Sequence, residues 1–155
     1  MDAWTTLIPA PALLALQART DTPLVVLDCG FDLADALAGE RGYRAGHIPG
    51  ARYVHLDADL SGAKTGRNGR HPLPERADLA ARVGTLGIGP QTQVVTYDAQ
   101  GGAYAARAWW LLRWLGHETV AVLDGGLKAW QEAGGPLATG AGEPADPHPP
   151  YPTGP

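Results

Sequence analysis

The sequence contains a single cysteine, Cys29, among its 155 residues. One cysteine cannot form an internal disulfide, which excludes a disulfide-stabilised secreted domain and favours a reducing compartment. The sequence also lacks any apolar run close to the roughly 20 residues that a membrane span requires. Its N-terminus carries an early acid, Asp2, and no basic segment, unlike a secretory signal. These absences together predict a cytoplasmic protein that does not insert into a membrane.

Positive charge is scarce as well. Twelve Lys and Arg residues stand against 16 Asp and Glu residues, so the formal net charge is −4. Because binding to a nucleic-acid backbone depends on Lys and Arg, this balance argues against a nucleic-acid partner. The five histidines are scattered without the spacing of metal ligands. The sequence therefore predicts no metal and no other cofactor.

What is present is the composition of a globular domain. Hydrophobic residues make up 45% and charged residues 18% of the chain, and 155 residues are enough for one substantial core. The 21 glycines and 14 prolines are concentrated in loops and in the last 22 residues. Residues 134–155, which are dominated by Pro and Gly, are predicted to form an extended linker or tail. A linker at the end of a chain suggests that a second domain follows it.

One stretch, residues 94–116, organises the rest of the chain. Its first four residues form an apolar, β-branched run that predicts a buried strand, and residues 104–115 predict a long apolar helix. The intervening loop, 98–103, places backbone N–H groups just before a helix N-terminus, which is a geometry that binds anions. Asp98 stands at the entrance of this loop. Its carboxylate would occupy or repel what the loop could otherwise bind.

Further apolar runs, caps and breakers predict the remaining elements. Strands are predicted at residues 4–8, 24–28, 52–56 and 119–123. Helices are predicted at residues 11–18, 74–86 and 126–133, and a short one after Asp32 to residue 38, with loops at 39–50 and 57–73. Strands that alternate with helices predict an α/β domain with a mostly parallel sheet of about five strands. Ligands in such sheets bind at the carboxyl ends of the strands, here near Asp28, His55, Asp98 and Asp124.

Three motifs resemble the rhodanese-like sulfurtransferase superfamily. Residues 43–51, YRAGHIPGA, resemble its aromatic-x-x-x-HIPGA signature, and residues 122–130, VLDGGLKAW, resemble its second signature. The unit at 94–116 has the position of the family's active-site loop. The resemblance covers residues 7–133 and implies a rhodanese-like domain at 1–133, with helices on both faces of its sheet.

The sequence departs from the catalytic members of this family at one position. Their loop begins with a cysteine that forms a persulfide, whereas this chain has Asp98, so no catalytic residue is predicted here. The resemblance therefore implies the inactive N-terminal domain of a tandem thiosulfate or 3-mercaptopyruvate sulfurtransferase. A C-terminal rhodanese domain, absent from these residues, would supply the cysteine, and an anionic sulfur donor would bind between the two domains. The candidates for this interdomain cleft are Phe31, His47, Arg70 and Tyr104.

Two other functions stay open at this point. The domain could be a free-standing degenerate module that binds a protein or a small anion, or a small enzyme that works through Cys29. Ordinary structural roles also stay open. His47 could hold its loop by hydrogen bonds, Cys29 could be a core residue, and the basic loop of Lys64, Arg67 and Arg70 could simply be solvated.

Overall fold

The computed structural model describes residues 3–19, 21–56, 58–62, 72–142 and 147–152. Its strands are β1 (Leu7–Ile8), β2 (Leu24–Asp28), β3 (Arg52–Tyr53), β4 (Gln93–Tyr97) and β5 (Val120–Leu123). Its helices are α1 (Ala10–Gln17), α2 (Ala38–Ala45), α3 (Arg76–Thr85), α4 (Ala103–Leu115) and α5 (Gly126–Glu132). The strands form one sheet in the order β1-β5-β4-β2-β3, and all pairs are parallel. The predicted α/β fold is confirmed. In the part of the chain described, no helix is long and apolar enough to cross a bilayer.

The central strand β4 contributes side chains to both hydrophobic cores of the domain. All five of its residues are buried, as expected of a parallel strand that is covered on both faces. Val94 packs into one apolar cluster with α3 and α4, whereas Val95 and Tyr97 pack into another with α1 and Trp130 of α5. Successive side chains point to opposite faces of a strand, so the single sequence run supplies both cores. Helices therefore cover both faces of the sheet.

The helix predicted after Asp32 is wrong. Residues 32–37 form turns instead, because Asp32 Oδ1 accepts the Ala34 N–H at 2.8 Å and Asp35 Oδ1 accepts the Leu37 N–H at 3.0 Å. Such Asx turns satisfy the backbone locally and compete with a helix. The helix forms further on as α2, within the predicted loop 39–50.

Tertiary contacts explain why helix α2 was missed. Its sequence, AGERGYRA, has two glycines and little apolar character, and only Gly39 and Tyr43 are buried. A Cβ at Gly39 would lie 1.9 Å from the Gly30 carbonyl oxygen, so only glycine allows the helix to approach this loop. Strand β3 is likewise shorter than predicted. The chain turns after Tyr53, and the His55 N–H donates to Asp59 Oδ2 at 2.7 Å.

The Pro- and Gly-rich tail lies against the domain. Its described residues form no helix, and their one sheet-like contact is the pair of backbone hydrogen bonds between Ala138 and His47, at 2.9 and 2.8 Å. Further on, Tyr151 is only 8% exposed and joins the core cluster of α3 and α4. Its hydroxyl lies 2.8 Å from His117 Nδ1. The division of the chain at residue 133 stays a prediction, but the packing continues to Tyr151.

The tail anchor leads to a first prediction. We expect Tyr151→Ala to lower the free energy of unfolding by about 3 kcal/mol, because it removes a buried aromatic ring. Tyr151→Phe keeps the ring and loses only the hydrogen bond to His117, so it should cost about 1 kcal/mol. Urea denaturation followed by circular dichroism measures both values. An alanine variant as stable as the wild type would show that the tail does not pack on the domain in solution.

Candidate functional site

Strands β2 and β4 bring the predicted edge residues together. The two strands are neighbours in register, with Asp28 opposite Tyr97, and the Cys29 N–H donates to the Tyr97 carbonyl at 2.7 Å. Asp98 follows directly, and its carbonyl accepts the Leu127 N–H at the start of α5. The carboxyl ends of β2, β4 and β5 thus meet at one edge, as expected for a parallel sheet.

The carboxylate of Asp98 occupies the loop that follows β4. Its Oδ1 accepts the N–H groups of Gln100 at 3.0 Å and Gly102 at 2.8 Å. Its Oδ2 accepts those of Tyr104 at 3.1 Å and Ala105 at 3.0 Å. The side chain is buried, with 2% of its surface exposed. The donors that were predicted to bind an anion therefore already bind one that belongs to the chain itself.

The loop backbone is shaped around this carboxylate. Gly101 and Gly102 have φ values of 95° and 99°, a left-handed conformation that favours glycine. The negative charge also lies at the N-terminus of α4, where the helix dipole stabilises it. Four charge-assisted hydrogen bonds leave an external anion without these donors. A carboxylate cannot carry a transferable sulfur atom, so Asp98 itself cannot form a persulfide.

Cys29 lies beneath the same edge and is not poised to react. Cys29 is 1% exposed, and its Sγ lies 3.8 Å from the Leu27 carbonyl oxygen. Burial raises the pKa of the Cys29 thiol well above its ordinary value, and the nearby carboxylates of Asp28 and Asp98 raise it further. Because the thiolate is the nucleophile, a protonated and inaccessible thiol does not support an enzyme that works through Cys29.

Asp28, which the sequence placed at the ligand-binding edge of the sheet, has a perturbed pKa that the sequence did not predict. Its Oδ1 accepts the Gly30 N–H at 2.9 Å, and its Oδ2 accepts the Tyr97 hydroxyl at 3.1 Å. Burial raises the pKa of Asp28 from 3.8 to about 6, despite these hydrogen bonds. An acid at the end of an unbroken apolar strand is the signal in the sequence that points to such a group.

The predicted cleft residues lie in different environments. Phe31 is buried, with its ring 5.6 Å from that of Tyr104, which is partly exposed in the first turn of α4. His47 is 1% exposed, stacks on Tyr43 at 3.9 Å between ring centroids, and has its Nδ1 2.7 Å from the Tyr43 carbonyl. These contacts of His47 with Tyr43 hold its loop in place, and the role of His47 and Phe31 in an interdomain cleft stays a prediction. Arg70, with Lys64 and Arg67, lies outside the described residues.

A cavity opens beside the Asp98 loop. It has a volume of about 470 Å³ and is lined by the loop and by the start of α5, including Gly102, Asp124, Gly126 and Lys128. Tyr104 and Phe31 are not part of its wall. Within the described ranges, no group of three or more His, Cys, Asp or Glu side chains could hold a metal ion.

Asp28 gives a prediction of pH dependence. The folded chain keeps a proton on Asp28 up to a pKa of about 6, whereas the unfolded chain loses it near 3.8. The stability contributed by Asp28 is therefore present at low pH and is lost as the pH rises through this window, by about 3 kcal/mol in total. Asp28→Asn cannot ionise. We expect its stability relative to the wild type to increase between pH 4 and 6.5 and then to level off.

Urea denaturation between pH 4 and 8 measures this difference. The exposed Asp124→Asn serves as the control, and we expect it to shift the unfolding midpoint little at any pH in this range. A stability difference between Asp28→Asn and the wild type that does not change with pH would contradict the prediction.

Asp98 gives a third prediction. We expect Asp98→Ala to lower the free energy of unfolding by about 3 kcal/mol, because four N–H groups lose a charged acceptor. The freed donors should then bind an added anion, so sulfate should raise the Tm of the variant more than that of the wild type. Thermal denaturation in sulfate and in chloride at equal ionic strength measures this. An equal effect of sulfate on both proteins would count against an anion site filled by Asp98.

Comparisons with known proteins agree with this architecture. The family model for the rhodanese-like domain matches residues 12–133. A Pseudomonas aeruginosa protein named "Probable 3-mercaptopyruvate sulfurtransferase" is 51% identical over 128 residues, which cover 81% of this chain and 45% of the relative. The thiosulfate/3-mercaptopyruvate sulfurtransferase 2 of Arabidopsis thaliana is 40% identical over 115 residues, covering 74% of this chain and 33% of the relative.

A solved structure gives the same result. The structure of 3-mercaptopyruvate sulfurtransferase from Leishmania major superimposes with a TM-score of 0.79 at 27% identity, over 96% of this chain and 39% of that chain. The chain thus spans less than half the length of each of these relatives. The resemblance seen in the sequence motifs is confirmed. The chain belongs to the rhodanese-like domain family, and its relatives are named thiosulfate and 3-mercaptopyruvate sulfurtransferases.

Proposed function

We propose that this chain is the N-terminal, catalytically inactive rhodanese domain of a thiosulfate/3-mercaptopyruvate sulfurtransferase. The observation that carries the proposal is the Asp98 carboxylate in the loop after β4, bound by four backbone N–H groups. A catalytic loop would offer those donors to a persulfide on a cysteine. The only cysteine of the chain, Cys29, is buried and has a raised pKa.

In this proposal a second, C-terminal domain supplies the nucleophile. Its thiolate attacks the outer sulfur of thiosulfate or the sulfur of 3-mercaptopyruvate, forms a persulfide, and passes the sulfur to cyanide or a thiol. Sulfite leaves from thiosulfate and pyruvate from 3-mercaptopyruvate. The length of the relatives supports a second domain, because this chain covers 45% of the Pseudomonas relative and 39% of the Leishmania structure.

The contribution of this domain is a wall of the interdomain cleft. The loop from Phe31 to Leu37 is tied to the Asp98 loop, since the Phe31 N–H donates to Gln100 Oε1 at 3.3 Å. Leu33 and Leu37 in this loop are 55% and 62% exposed. Large apolar side chains left open beside a site are typical of a surface that another domain covers. Tyr104 is close to this surface through its contact with Phe31.

The same exposed leucines support an alternative, in which a free-standing degenerate domain binds a protein. The two functions differ in what the gene encodes after residue 155. Coding sequence that continues into a second rhodanese domain with a Cys-x-x-Gly-x-(Thr/Ser) loop would support the sulfurtransferase. A natural stop at this point would favour the free-standing module.

A cytoplasmic location is part of the proposal. The single cysteine needs no oxidising compartment, and a reducing one would keep both Cys29 and the catalytic cysteine of the second domain as thiols. Fractionation of cells that express the full-length protein would test this location.

The predicted inactivity of this domain can be measured directly. After incubation with thiosulfate or 3-mercaptopyruvate, we expect the intact mass of the chain to be unchanged, because Asp98 cannot carry sulfur and Cys29 is protonated and buried. Cys29→Ser is the matched control and should behave identically. A gain of one sulfur atom in the wild type, reversed by cyanide and absent from Cys29→Ser, would make Cys29 a sulfur carrier and overturn the proposed inactivity.

A further inference from the structure

A second groove lies on the side of the domain, at the β3 edge of the sheet. It has a volume of about 530 Å³ and lies between helices α2 and α3. None of the residues in its wall belongs to the Asp98 loop or to the cavity beside it. Its wall includes three arginines, Arg44, Arg52 and Arg82, two carboxylates, Glu40 and Asp59, and the aromatic ring of Tyr53.

Arg52 is the unusual residue of this groove. Its Nε is buried and has no hydrogen-bond partner in the structure. Its guanidinium also forms no ion pair among the described residues, unlike the neighbouring Arg44 and Arg82. A buried donor on a charged group is costly when it is left unpaired, and such groups in native proteins mark the place of a bound water or ion.

Two further arginines flank Arg52 on the facing helices. Arg44 of α2 pairs with Glu40 at 3.3 Å, and Arg82 of α3 pairs with Asp59 at 2.7 Å. Each guanidinium has five N–H donors, so one carboxylate does not exhaust either of them. Three arginines from three different elements therefore line the groove.

The balance of charge in the groove selects the kind of ligand. Glu40 and Asp59, the two carboxylates among the described residues of the wall, are each paired with another arginine, and neither forms an ion pair with Arg52. The positive charge of Arg52 would repel a cation, whereas an anion would neutralise it. The planar fork of an arginine binds oxyanions through two parallel hydrogen bonds. The overall charge of −4 argues against an extended polyanion as the ligand.

From this geometry we propose that the groove binds a small oxyanion, such as phosphate or the phosphate group of a small molecule. Arg52 is its principal ligand, and Arg44 and Arg82 flank it. The groove shares no lining residue with the cavity beside the Asp98 loop, and the proposal does not depend on the sulfurtransferase assignment. Tyr53, which is partly exposed in the wall of the groove, would lie beside the organic part of a larger ligand.

The side-chain Nε–H signals of arginine in NMR spectra of the wild-type chain test this site. A buried Nε–H exchanges slowly with water, so Arg52 should give an observable signal. Titration with inorganic phosphate against chloride at equal ionic strength should shift this signal and saturate at millimolar concentration. The absence of a saturable shift of the Arg52 signal up to about 20 mM phosphate would overturn the proposal. Because this test uses the wild-type chain, it does not depend on whether the variants fold.

Substitutions then test whether Arg52 is the residue that binds phosphate. Arg52→Gln should weaken phosphate binding by at least about tenfold, because it removes the charged donor. Arg52→Lys should restore part of the binding, since a lysine keeps the charge but not the fork. Arg41→Gln is the matched control, because Arg41 lies on α2 near the groove, pairs with Asp35 and does not line the groove. Binding to Arg52→Gln as tight as to the wild type would overturn the role of Arg52.

A second ligand distinguishes free phosphate from the phosphate group of a small molecule as the natural ligand. Phenyl phosphate carries the same charged group with an aromatic ring attached. Tighter binding of phenyl phosphate than of inorganic phosphate would support a small phosphate ester as the natural ligand. Equal binding would support the free anion. Binding of both ligands that is unchanged in Arg52→Gln would contradict the site in either form.

Discussion

The rest of the site depends on one interaction, the binding of the Asp98 carboxylate by four N–H groups at the start of α4. It sets the conformation of the loop, begins the helix and neutralises the donors at the carboxyl edge of the central strand. The chain's own carboxylate thus binds the donors that the loop offers. The family's fold is present, with an aspartate at the start of this loop.

A buried acidic edge is the consequence of this arrangement. Asp28 and Asp98 end neighbouring parallel strands, and both are buried. Their charges add to burial in raising the pKa of the Cys29 thiol, so the same feature that fills the anion loop keeps the only thiol protonated. Burial also raises the pKa of Asp28 itself. Burial and the two carboxylates therefore both oppose ionisation of the Cys29 thiol at this edge.

The tail shows that the packed unit extends beyond the family match, which ends at residue 133. Glycines permit the close contacts of the tail. A Cβ at Gly84 would lie 2.3 Å from the Pro149 carbonyl oxygen, and a Cβ at Gly142 would lie 2.2 Å from the Tyr43 hydroxyl. The composition of the tail predicted an extended segment, but composition does not indicate which surface such a segment follows. Its closeness to α2 and α3 is a property of the whole fold.

The sequence by itself determined the class of the fold, strands β2, β4 and β5, and the place of Asp98 before a helix, because these depend on local runs of apolar residues and on short motifs. It did not determine helix α2, whose polar sequence is stabilised by packing on the Gly30 loop. It also did not reveal the raised pKa of Asp28, the burial of His47 and Phe31, or the buried Nε of Arg52, which has no hydrogen-bond partner among the described residues. These features depend on burial and on contacts between residues far apart in the chain, which only the tertiary structure decides.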